Sequence, residues 1–303
     1  MTKEKVIYAL FDDGEQSVKK ALEPLGYEVY SFGIQKKDTV INCDLTNLDD
    51  FMEKTQYLPK PDLIFANPPC ETFSIATASR YDSGKKGNIY YYNDGTPVTD
   101  FDDWKTSTYN NVKIMKKNKK EYFDNLIIKR DISEKLHINT DKIIEKFGVP
   151  GVIENPKTSY CWKLFHKNYV KNEAHYAAYD EKYTKKPTFF ATTEELELKK
   201  VPKGWKQVKS WSDSTGNYNL RSSVPKELII YIVERLLKWQ ENTLTTKDIA
   251  TASIFQRVMT WEFAKIVGDI QTSVIVANAV YTAGLHRRLN CLPNIMNLSC
   301  WHL

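Results

Sequence analysis

The stretch LIFANPPCETFSIA, residues 63–76, places Cys70 directly behind two prolines. Leu63–Ala66 is a short apolar run led by Asp62 and reads as a buried strand. Pro68 and Pro69 cannot donate ladder hydrogen bonds and must end it. Cys70 therefore sits where the chain leaves the carboxyl edge of a sheet, and open α/β sheets bind their ligands at that edge. A thiolate at such a place could act as a nucleophile, whereas most free cysteines are inert small residues in a core. Position alone leaves both readings open. Further along, the apolar run Gly151–Ile153 is closed in a similar way by Glu154-Asn155-Pro156.

The surrounding segments supply a frame for these two strand ends. Val6–Phe11 is a compact strand candidate. It is followed by the acidic turn Asp12-Asp13-Gly14 and by a helix with Val18, Ala21, Leu22 and Leu25 in register. Gly26 is a natural helix stop. Strands are expected at Glu28–Phe32, Thr39–Cys43 and Asp62–Ala66, with a helix over Leu48–Lys54 between the last two. Strands alternating with helices indicate βαβ units and a parallel sheet. Residues 80–125 break the rhythm and read as a long insertion rich in tyrosine and lysine. Beyond it come a helix near Ile132–Phe147, β segments near His175–Tyr179 and Thr188–Ala191, and an amphipathic helix over Pro225–Trp239. Residues 241–303 have a different, helical texture and read as an appendage to a domain spanning 1–240.

Composition narrows the class. Across 303 residues, 42% hydrophobic and 27% charged residues describe a folded globular chain rather than a disordered one. The net charge of +5 permits a polyanionic partner without demanding one. The five cysteines, Cys43, Cys70, Cys161, Cys291 and Cys300, form no Cys-x-x-Cys pair, so neither a zinc site nor a disulfide framework is indicated. The amino terminus lacks a signal-like apolar run, and SVIVANAVYTAGL is too short and polar to span a bilayer. A soluble protein of a reducing compartment, with no membrane partner, is the expectation.

Taken in order, a strand with acidic loop and helix, a strand ending in NPPCETFS (Asn67–Ser74) and a strand ending in IENP (Ile153–Pro156) resemble the DNA (cytosine-5)-methyltransferases. The likeness is nearest to the short variants of phages and prophages. SVKKALEPLGYEVYSFGI, KYTKKPTFFAT (Lys182–Thr192) and RSSVPKELI (Arg221–Ile229) are similar to further segments of those variants. The resemblance covers roughly residues 5–240. It implies a Rossmann-like, S-adenosylmethionine-dependent methyltransferase sheet, with the insertion after the fourth strand and the helical appendage outside it. It also implies DNA as partner and the cytoplasm of a bacterial or phage-infected cell as location.

The resemblance assigns roles residue by residue. Cys70 would add covalently to carbon 6 of cytosine, so that carbon 5 becomes nucleophilic enough to take a methyl group. Glu154 would hold or protonate the ring nitrogen 3 edge, and Asn155 would orient the Pro-Pro-Cys loop. The cofactor would lie against Phe11, Asp12, Asp13 and Gly14, against Asp44 and Leu45 after the third strand, and against Asn67 and Pro68. Two departures stand out: the first loop, DDGEQS, carries a single glycine, and Gly33 stands where an acidic residue would meet the ribose hydroxyls. The target base must leave the duplex to be reached. Arg80, Lys116, Lys117 and Tyr91 are the expected DNA contacts, through phosphate neutralisation and base stacking. The appendage would serve as an oligomer or partner surface. No metal is expected.

Two other functions fit part of the pattern. An amino-directed DNA methyltransferase shares Asn-Pro-Pro but needs an aromatic residue where Cys70 stands. A catalytically silent descendant that binds nucleic acid or protein would account for the atypical first loop.

Overall fold

The computed structural model describes residues 4–12, 14–35, 37–74, 89–92, 94–102, 104, 119–206 and 223–243. By internal contacts the chain divides into two units, Met1–Lys238 and Trp239–Leu303. The described residues lie almost wholly in the first unit, so the helical expectations for 241–303 fall largely outside them.

The first unit is α/β, built on a seven-stranded mixed sheet in the order β3-β2-β1-β4-β5-β7-β6. β1 (Val6–Leu10) is followed by α1 (Ser17–Leu22) and a 3-10 turn, Glu23–Leu25. Pro24 tightens that turn, and Gly26 closes it at φ +85°, donating its N–H to Glu23. Next come β2 (Glu28–Gly33), β3 (Val40–Asn42), α2 (Leu48–Thr55) and β4 (Leu63–Ala66). After the insertion follow α3 (Lys119–Phe147), β5 (Gly151–Pro156), α4 (Cys161–Leu164), β6 (Val170–His175), β7 (Pro187–Thr192) and α5, residues 226–243. The first five strands pair in parallel, whereas β7 runs antiparallel to both β5 and β6. This arrangement is compatible with a Rossmann-like fold.

β1 is an interior strand and is buried on both faces, as its unbroken apolar sequence requires. Val6, Tyr8 and Leu10 point into a core shared with α2 and α3, while Ile7 and Ala9 point into a second core shared with α1 and α5. The chain runs from β1 outward to β2 and β3, then returns to place β4 on the other side of β1. The strand order thus reverses between β1 and β4, and the crevice at their carboxyl ends is the expected ligand site of such a sheet.

Three expectations need correction. α3 begins at Lys119 and not near Ile132, so the end of the expected insertion is helical; Phe123, Leu126 and Arg130 form the buried stripe of its first half. The strand expected at His175–Tyr179 is shifted to Val170–His175, and Tyr176–Ala178 is a 3-10 turn. β5 also outruns its expected end: it pairs with β4 only through Ala66↔Ile153 but continues along β7 to Pro156. Close to its start, Gly151 meets α3 so tightly that a Cβ there would lie 2.7 Å from Ile144 Cγ2.

Candidate active site

The overrun of β5 explains how the two motifs meet. Pro68 and Pro69 end the pairing of β4, and Glu154 and Asn155 therefore have β7 on one flank and the Pro-Pro-Cys turn on the other. Asn155, fully buried, uses the vacated flank: its Nδ2 donates to the Pro68 carbonyl at 2.9 Å. At the next residue, His137 Nε2 lies 3.4 Å from the Pro69 carbonyl. The Cys70 carbonyl then accepts from the Phe73 and Ser74 amides at 3.0 and 2.8 Å. Three consecutive carbonyls are thus held. Prolines have no N–H, so a turn built on them can be gripped only through its carbonyls. Phe73, buried beneath the turn, receives an amide hydrogen bond from Tyr160 and stacks on Tyr91.

Cys70 is partly exposed as a residue. Burial of the thiol, then the Glu154 carboxylate, push its pKa above the ordinary thiol value, while the Lys186 ammonium pulls the other way. The resting group is a thiol. Glu154 is buried and carries two partners that the motifs did not reveal. The Tyr176 hydroxyl donates to Glu154 Oε1 at 2.7 Å, and Lys186 Nζ lies 3.6 Å from the same oxygen. Lys186 also sits over the Tyr176 ring, 4.5 Å from its centre. Burial and the Glu154 charge drive the Tyr176 phenol well above its usual range, so it stays a donor. Lys186 holds φ at +29°, a costly conformation for a residue with a side chain, just before Pro187. Backbone strain of this kind accumulates where function needs a group in one place.

At the switch point between β1 and β4, the expected cofactor residues divide. Phe11 ends β1 at φ +61° and donates its N–H to Phe32. Asn67 donates its N–H to Leu10, which brings it beside the first loop, and its buried Oδ1 has no hydrogen-bond partner among the described residues. Asn155 Oδ1 is a second buried acceptor without one. Buried acceptors are rarely left unpaired, and a pair of them at a strand-end crevice suits a ligand that brings donors. Gly14 is partly exposed in the same loop.

Asp12 is different. Its carboxylate turns inward to accept from the amides of Val18 and Lys19 at 3.1 Å and from Ser31 Oγ at 3.0 Å. It caps α1 from six residues upstream, and its expected role as a cofactor contact is replaced by that one. Leu45 is likewise buried in the core, and its carbonyl is held by Asn139 Nδ2 at 2.9 Å. The Asp44 carboxylate closes on the amide and hydroxyl of Thr46. Of the residues expected to meet S-adenosylmethionine, Phe11, Gly14, Asn67 and Asp44 keep some exposure, while Pro68, like Leu45, is buried with its carbonyl held by a side chain.

Among the expected DNA contacts, Tyr91 is a correction. It is 1% exposed, packed between Phe73 and Tyr160, and its hydroxyl donates to Glu134 at 2.8 Å. Tyr90 and Trp104 are buried in the same core, so these aromatics of the insertion serve packing. Arg80, Lys116 and Lys117 lie outside the described residues, as does Asp13. Among the described residues there is no cluster that could hold a metal ion, and no helix long and apolar enough to cross a membrane. Compared with known proteins, the chain matches no family model and no curated protein.

Proposed function

We propose that the protein is a DNA methyltransferase that transfers a methyl group from S-adenosylmethionine to carbon 5 of cytosine. The observation that carries this reading is the convergence of Cys70, Glu154 and Asn155: two separate strand ends meet at one crevice, and Asn155 binds the turn that presents the thiol. The cofactor supplies an electrophilic methyl group. Cys70, once deprotonated, adds to carbon 6 of a flipped cytosine, and electron density passes to carbon 5. The negative charge developing toward ring nitrogen 3 is met by a proton at Glu154. The Lys186 ammonium is the proton source in place beside Glu154, and the Tyr176 hydroxyl holds the carboxyl by its hydrogen bond. After methyl transfer, the carbon-5 proton passes to solvent water, the proton taken up at nitrogen 3 returns to Glu154, and the restored double bond expels the Cys70 thiolate.

Because the thiol is held protonated at rest, its activation depends on the arrival of substrate. The Lys186 charge supports the thiolate against the burial that opposes it. The amino-directed alternative gains nothing here, since no aromatic side chain occupies the position of Cys70. The test is covalent trapping. A duplex pool containing 5-fluorocytosine, incubated with the protein and S-adenosylmethionine, should give a denaturation-resistant adduct that Cys70→Ala abolishes. Methyl transfer to ordinary DNA without any trapped adduct would overturn the cysteine mechanism, and absence of both would overturn the methyltransferase reading.

A further inference from the structure

Behind the Cys70 turn lies a chain of three polar contacts that the mechanism above does not use. Asp141 Oδ1 is 2.7 Å from His166 Nδ1, and His166 Nε2 is 2.7 Å from His137 Nδ1. His137 Nε2 reaches the Pro69 carbonyl at 3.4 Å. His137 is fully buried, lies flat against Phe165 and meets Phe73 edge-on at 4.7 Å between ring centres. It therefore touches the Cys70 turn on both sides of the cysteine. His166 is buried in a left-handed conformation at φ +55°, directly after α4. Asp141 is the outer end of the chain, with about a third of its side chain exposed.

Counting protons shows why this chain has two states. A carbonyl and a carboxylate can only accept. Satisfying all the contacts therefore takes three protons on the four ring nitrogens: at His166 Nδ1, at His166 Nε2 and at His137 Nε2. That is one imidazolium, at His166, beside the Asp141 carboxylate, with His137 neutral. Burial and the neighbouring His166 hold His137 well below the ordinary histidine range, which agrees with its being the neutral ring. If the chain loses one proton, the two that remain sit at His166 Nδ1 and His137 Nδ1. The proton between the rings crosses to His137, the one on His137 Nε2 leaves for solvent, and a bare nitrogen then faces the Pro69 oxygen. The short contacts survive and the long one is lost.

We propose that His137 is a positioning residue for the Cys70 turn, and that Asp141 and His166 gate it through one shared proton. With the proton in place His137 donates to the Pro69 carbonyl and the turn is fixed; without it that anchor is absent. The charged and titratable groups around the relay are Asp141 and Glu145 on α3, whose carboxylates act on Tyr169 after α4, and, on the turn itself, Glu71, paired with Lys129 of α3. The structural claim stands without any enzymatic activity; its consequence for catalysis rests on the reading of Cys70 as the nucleophile.

The experiment is a pH titration of the full chain labelled with 15N-histidine, following ring nitrogens by long-range proton–nitrogen NMR. On the acid side His137 should carry its proton on Nε2, and on the alkaline side on Nδ1. Asp141→Asn should alter the tautomer change, because it removes the carboxylate at the outer end of the relay. Alkylation of Cys70 by iodoacetamide, read by mass spectrometry on the acid side, should rise roughly fivefold in His137→Leu, the equivalent of one lost hydrogen bond. His137→Gln, whose amide can donate to the same carbonyl, should restore the slow rate. A single His137 tautomer throughout the pH range of the folded protein overturns the proposal, as does an alkylation rate indifferent to His137→Leu. A tautomer change with neither a 5-fluorocytosine adduct nor methyl transfer to ordinary DNA would overturn the methyltransferase reading alone; an adduct with a fixed tautomer would overturn the relay alone.

Discussion

Tyr176→Phe removes one oxygen atom and asks how firmly Glu154 is held. The ring would keep its place, since it packs against Phe190 and Tyr183 in the core. Glu154 would lose a hydrogen bond of 2.7 Å and keep Lys186 at 3.6 Å. A hydrogen bond to a charged acceptor contributes about 1.5–3 kcal/mol, and the surviving cation argues for the lower half, about 2 kcal/mol. Unfolding entropy is about 2.1 cal/mol/K per residue, which over Met1–Lys238 makes about 0.5 kcal/mol/K. The melting temperature should therefore fall by about 4 °C. The same change frees the carboxylate to swing toward Lys186, and adduct formation with 5-fluorocytosine DNA should slow by at least about tenfold, the cost of a misplaced charge-stabilising group. In a double-mutant cycle with Glu154→Gln, a coupling of about 1 kcal/mol or more is expected in stability. An unchanged melting temperature, or strictly additive effects, would mean that the Tyr176 contact does not fix Glu154.

Asp12→Ala should cost about 1–2 kcal/mol of stability by uncapping α1, yet leave the S-adenosylmethionine-induced thermal shift in place; loss of that shift at unchanged stability would return Asp12 to the cofactor site. Glu173 is held at about 2: burial opposes its ionisation, and Lys157, Lys200 and His175 overcome it. Its ion-paired state adds stability above the ordinary carboxylate value, and this is lost as the pH falls toward 2. Glu173→Gln should therefore flatten the acid limb of the melting-temperature profile between about pH 4.5 and 2, and an unaltered slope would refute the assignment. Gly151→Ala should destabilise by about 1–3 kcal/mol through overlap with Ile144, and combined with Ile144→Ala the loss should be smaller than the sum of the two single losses; a neutral single substitution would show that β5 and α3 can separate at no cost.

The parts of this molecule legible in sequence were those governed by short-range rules. Apolar runs ended by Pro68 or Gly26 marked β4 and the close of the first helical turn, because proline and glycine act on their own backbone. The Pro-Pro-Cys and Glu-Asn-Pro motifs marked two of the site's strand ends for the same reason. What the sequence concealed was set by packing across distance. Tyr176 carries no local mark, and it meets Glu154 only because β6, which it follows, folds beside β7. Lys186 stood in the noticed segment KKPTFF, but its value lies in a strained φ that no spacing discloses. Tyr91 looked like a stacking surface by its lysine neighbours, yet burial and Glu134 claim it for the core. The first half of α3 was hidden because lysines and asparagine interrupt its apolar stripe, and part of that stripe is polar: Arg130 spends its guanidinium on the Val98 carbonyl at 2.8 Å.

That polar stripe is what makes α3 more than a support. Along its 29 residues the buried positions Arg130, His137 and Asn139 reach three different loops: the segment around Val98, the Cys70 turn, and the Leu45–Thr46 loop after β3. A helix that only filled a core would present leucine or isoleucine at those positions, at no desolvation cost. Polar side chains are stable there because each finds a carbonyl, and every one of those carbonyls belongs to a loop rather than to a strand or helix. Loops need such anchors, since no ladder of their own satisfies them. His137 and Asn139 are two residues apart and so leave the helix on different sides, one toward the thiol turn and one toward the crevice proposed for the cofactor. A shift or rotation of α3 would disturb both loops together. The turn of the proposed nucleophile and the loop beside the crevice proposed for the cofactor are thereby held in register by one element, as a transfer between two bound groups requires.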